Sequence, residues 1–404
     1  MDIRPILSSL RRHKTAAALI TLQIALTCAI VCNAVFLIFA RVDNLRAPTG
    51  IDEAGLVRVL AVGIGRDDNP IAITREDLAA IRVIPGVISA TVGSQIPLGN
   101  SSWNTSVNLS PDQETPTLNA AMYMGGPELF DTLGLTLAAG TQLDPDAFLT
   151  FDENIGLQGL IPSSMLITRE LAERAFPGED PLGRSIYLLD DPIRIVGVVE
   201  RLRRPNVVEG DSAYSMVLPL ELPYTMGGNY LVRTTPERRQ EVLDAVVATL
   251  TANSSGRIIL RQDTFEEVRD RYYAQDRTMV WLLVIVCIAL LVVTALGIIG
   301  LASFWVQQRT RQIGVRRALG ATRSQILRYF QTENFLLTSA GIVLGMLLAF
   351  ALNQYLMRGY ELPRLPLAYL PLGAIVLWLL GQVAVLGPAR RAAAVSPAIA
   401  TRSA

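Results

Sequence analysis

Four long runs contain no charged residue: Thr15 to Ala40, Thr278 to Gln308, Asn334 to Met357 and Leu365 to Ala389. Each exceeds the roughly 20 residues that a helix needs to cross a bilayer. Inside lipid a backbone must satisfy its own hydrogen bonds, so each run reads as a transmembrane helix. The spacing is unequal, with a long polar stretch between the first and second runs and only short ones between the others. Half of the 404 residues are hydrophobic and the mean hydropathy is +0.36, which suits a mixed membrane and soluble architecture. The first run is too long for a signal-peptide apolar core of about 7–15 residues and lacks a small-residue cleavage site, so it is expected to stay as an anchor.

Flanking charge orients the helices. Residues 307–332 carry six arginines and no acid, and the lead with Arg4, Arg11, Arg12 and Lys14 and the tail with Arg390, Arg391 and Arg402 are also basic. By the positive-inside bias, both termini and the middle loop are expected in the cytoplasm and the large loop outside. The expected fold is therefore an α-helical membrane protein with four transmembrane helices and a large α+β domain of two lobes, outside the membrane, inserted between helices 1 and 2. The division expected is a cytoplasmic lead (1–14), the first helix (15–40) and a linker (41–55). A split α+β lobe (56–93 and 229–262) encloses a strand-rich lobe (94–228). Then follow a stalk helix (263–277), the second helix (278–306), a basic cytoplasmic region (307–332), the third helix (333–357), an outer turn (358–365), the fourth helix (366–388) and the tail (389–404).

Within the large loop, Leu56–Val62 predicts a strand, Arg75–Val83 a helix started by Thr74, and Val87–Gly93 a strand after the Pro85-Gly86 turn. The same order returns as strand Tyr230–Arg233, helix Pro236–Leu250 and strand Arg257–Leu260. Two such units commonly pair, which is why the ends of the loop are expected to fold together around an insert. Phe265, Val268, Tyr272 and Met279 lie at a 3-4-7 spacing and predict a stalk helix packed on a neighbour, continuous with the second membrane helix. The first membrane helix is expected to continue as a second rod through Arg46.

In 307–332, Ile313, Leu319, Ile326 and Phe330 recur at helical spacing, Gly320 can end one helix, and Thr322 with Gln325 has the pattern of a capping box that starts another. Arginine alone would suit any cytoplasmic loop. Other chemistries are weakly supported. The single lysine, Lys14, follows no glycine-rich loop, so no phosphate loop binds ATP here. The single histidine, His13, cannot build a triad or a multi-histidine metal site for Ser94, Ser101, Ser102 or Ser163. Cys28, Cys32 and Cys287 all lie in apolar runs and read as packing residues. Pro177-Gly178-Glu179-Asp180-Pro181 reads as a surface turn rather than a metal loop. No ionisable residue sits mid-span, which argues against a proton-coupled carrier. Gly341 and Gly345 form a G-x-x-x-G pattern open to either a dimer contact or an intramolecular one.

Arg311-Gln312-Ile313-Gly314-Val315-Arg316-Arg317-Ala318-Leu319-Gly320-Ala321 resembles the coupling signature of the MacB/FtsX family of ABC transporter permeases, with Gln312 in place of the usual acid. Met124 to Leu135 with Ala139-Gly140, Ile167 to Gly183 with Ile193 to Val199, and the Pro388 to Ala393 tail are similar to further family segments, with Thr168 where asparagine is usual. The resemblance implies a permease subunit that transmits the movement of a separate ABC ATPase to a periplasmic domain, for export of a periplasmic or outer-leaflet substrate. It implies a bacterial inner membrane, a second permease chain (a copy or a paralogue), a candidate periplasmic adaptor and outer-membrane channel, contact with lipid, and no nucleic acid. It is not an enzyme on this reading: no cofactor is bound by this chain, and ATP and Mg belong to the ATPase. Residues 311–321 would dock that ATPase, Gly314 and Gly320 allowing close approach and a turn, and Arg316 and Arg317 facing an acidic rim or lipid phosphates. Lipoprotein-release permeases and transmembrane regulators of a periplasmic hydrolase share the topology and are the alternatives.

Overall fold

The computed structural model describes residues 14–64, 69–99, 102–111, 113, 115–152, 155, 159–188, 191–206, 213–226, 228–254, 256–360, 366 and 369–395. The expected lead (1–13), most of the outer turn (361–365), the end of the tail (396–404) and Ser101 lie outside the described residues. The chain divides into two compact units, Ala47–Ala274 and the helical remainder.

Among the described residues, four helices are long and apolar enough to cross a membrane: α1 (Lys14–Arg46), α7 (Ala274–Gln308), α9 (Arg323–Tyr360) and α10 (Tyr369–Ala394). All four run past at least one end of their uncharged segments, the last of them through Arg390 and Arg391, because a helix needs no hydrophobicity to continue once its backbone bonds are made. One consequence is that Glu333, one residue ahead of the third uncharged run, lies within α9 and is 1% exposed.

The Ala47–Ala274 unit is built on twelve strands among the described residues, β1 (Leu56–Gly63), β2 (Ser89–Gly93), β3 (Asn104–Val107), β4 (Leu118–Gly125), β5 (Leu137–Gly140), β6 (Leu149–Thr150), β7 (Ser164–Thr168), β8 (Ser185–Leu188), β9 (Asp191–Val199), β10 (Ser215–Glu221), β11 (Asn229–Arg233) and β12 (Arg257–Thr264). Their order is β12-β1-β11-β2-β4-β10-β7-β9-β5, with β3 on β4, β6 on β10 and β8 on β9. The first and last portions of the domain do meet in one sheet: β1 lies antiparallel between β11 and β12, with Val59 opposite Tyr230 and Gln262. Helices α2 (Pro70–Arg82) and α5 (Arg239–Asn253) cover that part through Ile81, Val242 and Val246, packed on Val57, Val59 and Val92. A second cluster, with Met124, Met165, Ile167, Ile195 and Met216, fills the part between β3 and β10 under α4 (Arg169–Ala175). The sheet is continuous through both clusters, and the β2–β4 ladder that joins them has a single register pair, Gly93 with Gly125.

Local chemistry moves several boundaries. The expected helix at Arg75 begins at Pro70, because Asn69 accepts from the Ala72 amide at 3.2 Å and proline suits the first turn. Thr74 is inside that helix, its hydroxyl donating to the Pro70 carbonyl at 2.8 Å. Val87 closes a turn onto Ile84, so β2 starts only at Ser89. β12 runs on to Thr264, held by β1 over its length.

The expected stalk seam is also corrected. Helix α6 (Phe265–Tyr272), started by a complete Thr264–Glu267 capping box, buries Phe265 and Val268 within its own domain and half-buries Tyr272. Tyr273, at φ −92 and ψ 4, ends α6, and α7 is a separate helix from Ala274. Tyr273 is buried between the guanidinium groups of Arg203 and Arg269, 5.9 and 5.7 Å from its ring centre, and its side-chain packing takes precedence over helix continuity. Met279 falls in α7 and is exposed. By contrast, α1 continues unbroken through Arg46.

Candidate functional site

The arginine-rich segment forms a short helix, α8 (Thr310–Ala318), a corner, and the start of α9. Gly320 adopts φ +96, a left-handed conformation that costs glycine little, and Ala321 donates back to the Arg316 carbonyl at 3.0 Å. The restart is a reciprocal capping box: Thr322 N–H donates to Gln325 Oε1 at 2.9 Å and Gln325 N–H to Thr322 Oγ1 at 3.2 Å.

The helix divides its residues between two sides. Ile313, 6% exposed, packs with Val306, Ile326, Phe330, Ala389 and Ala392, and Gly314 is buried beside it. Arg317, expected to face a partner, turns inward and donates to the Val395 carbonyl at 2.6 Å. Arg316 lies 5.3 Å over the Tyr329 ring. Arg311, Gln312, Val315, Ala318 and Leu319 are exposed, Leu319 to 84%. Val315 and Leu319, four residues apart, therefore stand on the solvent side among arginines, with Gln312 also exposed. Such a pair is stabilising only where another surface covers it and removes its area from water.

Just before α8, Arg309 pairs with Glu333 at 3.0 Å and lies 5.5 Å over Trp305. Sequence reasoning missed this contact, although a signal existed: Glu333 is the one acid between Asp276 and Glu361. The pair joins the end of α7 to α9 where the corner begins.

Above this the bundle is interlocked by small residues. Gly341 faces Ile24 of α1, and Gly345 faces Ala25 and Cys28; a Cβ on Gly341 would come within 2.7 Å of Ile24 Cγ2. Both glycines of the G-x-x-x-G pattern thus serve contact within the chain. Helix α7 joins α1 through polar rungs: Gln23 Nε2 donates to the Val293 carbonyl at 3.1 Å, the Thr27 and Thr294 hydroxyls are 2.8 Å apart, and Arg41 pairs with Asp276. Its apolar face bearing Ile285, Ile288, Val292 and Leu296 is exposed.

In the large domain, charge is concentrated where the chain enters and leaves. Glu53 pairs with Arg269 at 2.7 Å and accepts from Thr49, while Asp52 pairs with Arg233 at 2.6 Å. Asp77 and Arg257, each 1% exposed, form an ion pair that Tyr230 joins by donating to Asp77 at 2.5 Å. Burial, and then the Asp77 charge, push the Tyr230 phenol well above its ordinary range. At Asp263 burial pushes the carboxyl up, but hydrogen bonds and charge from Arg271 and Arg58 outweigh it and hold it below the usual carboxylate range. Burial, joined by the charges of Arg261 and Arg271, holds the Arg58 guanidinium below its ordinary value despite Asp263. Remaining candidates are structural: the Ser94 hydroxyl accepts from the Met124 amide, Thr168 donates to the Ala213 carbonyl at 2.6 Å, and Asp180 closes its turn by accepting from Leu182.

Two protein families match separate parts of the chain. The MacB-like periplasmic core domain matches residues 21–252 and the FtsX-like permease C-terminal family matches residues 284–397. The macrolide export ATP-binding/permease protein MacB of a Shewanella species is 28% identical over 267 residues, covering 60% of this chain and 38% of that protein. The protein of that name from Acinetobacter baylyi is 25% identical over 312 residues, 74% of this chain and 44% of that one. The chain spans less than half the length of these relatives. The solved periplasmic region of MacB from Actinobacillus actinomycetemcomitans aligns at a TM-score of 0.33 with 14% identity, over 57% of this chain and 97% of that one.

Proposed function

The chain belongs to the MacB/FtsX-type permeases of ABC transporters, and from that premise we propose that it passes the movement of an ATPase carried on a separate chain to its periplasmic domain. The division of α8 carries this reading. One side is seated on the bundle through Ile313 and Gly314, while Val315 and Leu319 stand outward, as a docked helix end requires. Arg309 and Glu333 tie the same corner to α7 and α9, so a push on α8 acts on both membrane helices.

On this reading the loop of residues 307–332 and both termini lie in the cytoplasm of a bacterium, and the Ala47–Ala274 domain lies in the periplasm. ATP and Mg are held by the ATPase. The exposed apolar face of α7 suits a second permease chain, identical or a paralogue. Cargo is taken up on the periplasmic side or from the outer leaflet and exported there, which needs no hydrophilic channel through the four helices.

The test is co-purification of the ATPase with the full chain carrying Leu319→Asp. Loss of the ATPase with an unchanged thermal midpoint supports docking through this residue. Undiminished co-purification overturns it.

A further inference from the structure

Helix α8 is held to the end of α10 at two positions one turn apart. Ile313 shares a buried cluster with Ala389, Ala392 and Ala393, and Arg317 donates to the Val395 carbonyl at 2.6 Å. Val395 directly follows the last residue of α10, where carbonyls find no amide in their own helix and the helix dipole favours a cation. The guanidinium of one helix therefore caps the other. Pro388, with no amide hydrogen, also removes a hydrogen bond between the last turn of α10 and the turn before it. That last turn depends on α8 for its hold.

Near its other end α10 is seated on α1. A Cβ on Gly373 would collide with the sulfur of Cys32, which is 1% exposed. Between these two ends the Trp378 indole donates to Ser339 of α9 at 3.0 Å, and a Cβ on Gly381 would come within 3.0 Å of Thr338 Oγ1. Contacts this close pass on a displacement, because close-packed groups cannot move past one another without a clash. Helix α7, which leads into α8, buries only six of its 35 residues among the described ones. We propose that α10 carries the movement of α8 to α1, with Arg317 as the positioning residue that fixes α8 to the end of α10 and Gly373 as the contact that hands the movement to Cys32. Helix α1 then runs unbroken to Arg46, and the large domain begins at Ala47. This route rests on the docking of an ATPase on α8, and it gives Arg317 a role inside the chain.

The test uses the full chain co-purified with its ATPase and spin-labelled at Asp43→Cys on α1 and Met279→Cys on α7, both exposed positions. Cys28, Cys32 and Cys287 are buried. Pulsed electron paramagnetic resonance reads the label distance before and after trapping with ADP and vanadate. The wild type should show a nucleotide-dependent shift. Arg317→Met should lose the shift while retaining the ATPase, and Arg317→Lys, which keeps a cationic donor, should preserve it. Gly373→Ala should lose it as well, and Gly373→Ala with Cys32→Ala, which removes the sulfur that the new methyl would meet, should regain it. That pair decides the matter if Arg317→Met does not fold. A shift that persists in Arg317→Met or in Gly373→Ala, or that Cys32→Ala does not restore, overturns the α10 route, as does a wild type that holds the ATPase but shows no shift. A wild type that holds no ATPase overturns the docking reading, and the α10 route with it.

Discussion

Gly345 of α9 lies so close to Cys28 of α1 that a Cβ in its place would come within 2.5 Å of the Cys28 Cβ. The contact makes a glycine pattern that could have joined two chains into a clamp within one. Gly345→Val is therefore expected to force α1 and α9 apart, at a cost of about 1–3 kcal/mol as for other overpacked cores. The thermal midpoint of the purified full chain should fall. An unchanged midpoint with a loss of dimer would assign the glycine to the interface between chains instead.

Ile313 and Leu319 belong to one segment and are expected to give opposite phenotypes. Ile313→Asp places a charge among Phe330, Ala389 and Ala392 and should lower the yield and thermal midpoint of the chain itself. Leu319→Asp should leave both unaltered, because the side chain is already in solvent. Measuring midpoint and ATPase co-purification on both variants separates seating from docking.

Asp77 is expected to be among the most sensitive positions of the large domain. Asp77→Ala strands Arg257 and removes the acceptor of Tyr230, and breaking a buried pair from one side costs about 3–5 kcal/mol. Chemical unfolding followed by intrinsic fluorescence should show the loss. Asp77→Ala with Arg257→Leu should recover part of it, and a double variant as unstable as the sum of the single ones would deny the coupling.

Acid should weaken the same domain through Asp263. Its folded carboxyl titrates below the usual range, so its contribution is complete above the unfolded value of about 3.9 and is lost as pH falls from there through the folded value. Between pH 6 and pH 3 the unfolding midpoint of the wild type should drop more than that of Asp263→Asn. Parallel slopes for the two proteins would mean that the carboxylate does not contribute in this way.

Several features of the site were readable from local pattern alone. The Thr322–Gln325 capping box and the break at Gly320 depend only on residues within a turn of one another, and both form as their spacing implies. The start of α2 shows the limit of such reading, since Thr74 and Asn69 are both plausible caps and proline at position 70 decides between them. The Tyr273 break was hidden because the sequence through 265–279 keeps helical spacing, while the arginine that clamps the ring, Arg203, comes from 70 residues earlier.

The sequence by itself determined the number of candidate membrane helices, the size of the domain between the first two and the sign of charge on each loop. These follow from length, hydropathy and charge, which are properties of contiguous residues. Tertiary structure decided which side of α8 faces outward, which chain Gly341 and Gly345 serve, and that Glu333 is buried against Arg309. In a helix of nine residues, Ile313 and Val315 with the C-cap Leu319 do not define a single apolar stripe. Its phase is set by Phe330 and Ala389, side chains brought to it by helices elsewhere in the chain, and no local pattern encodes that meeting.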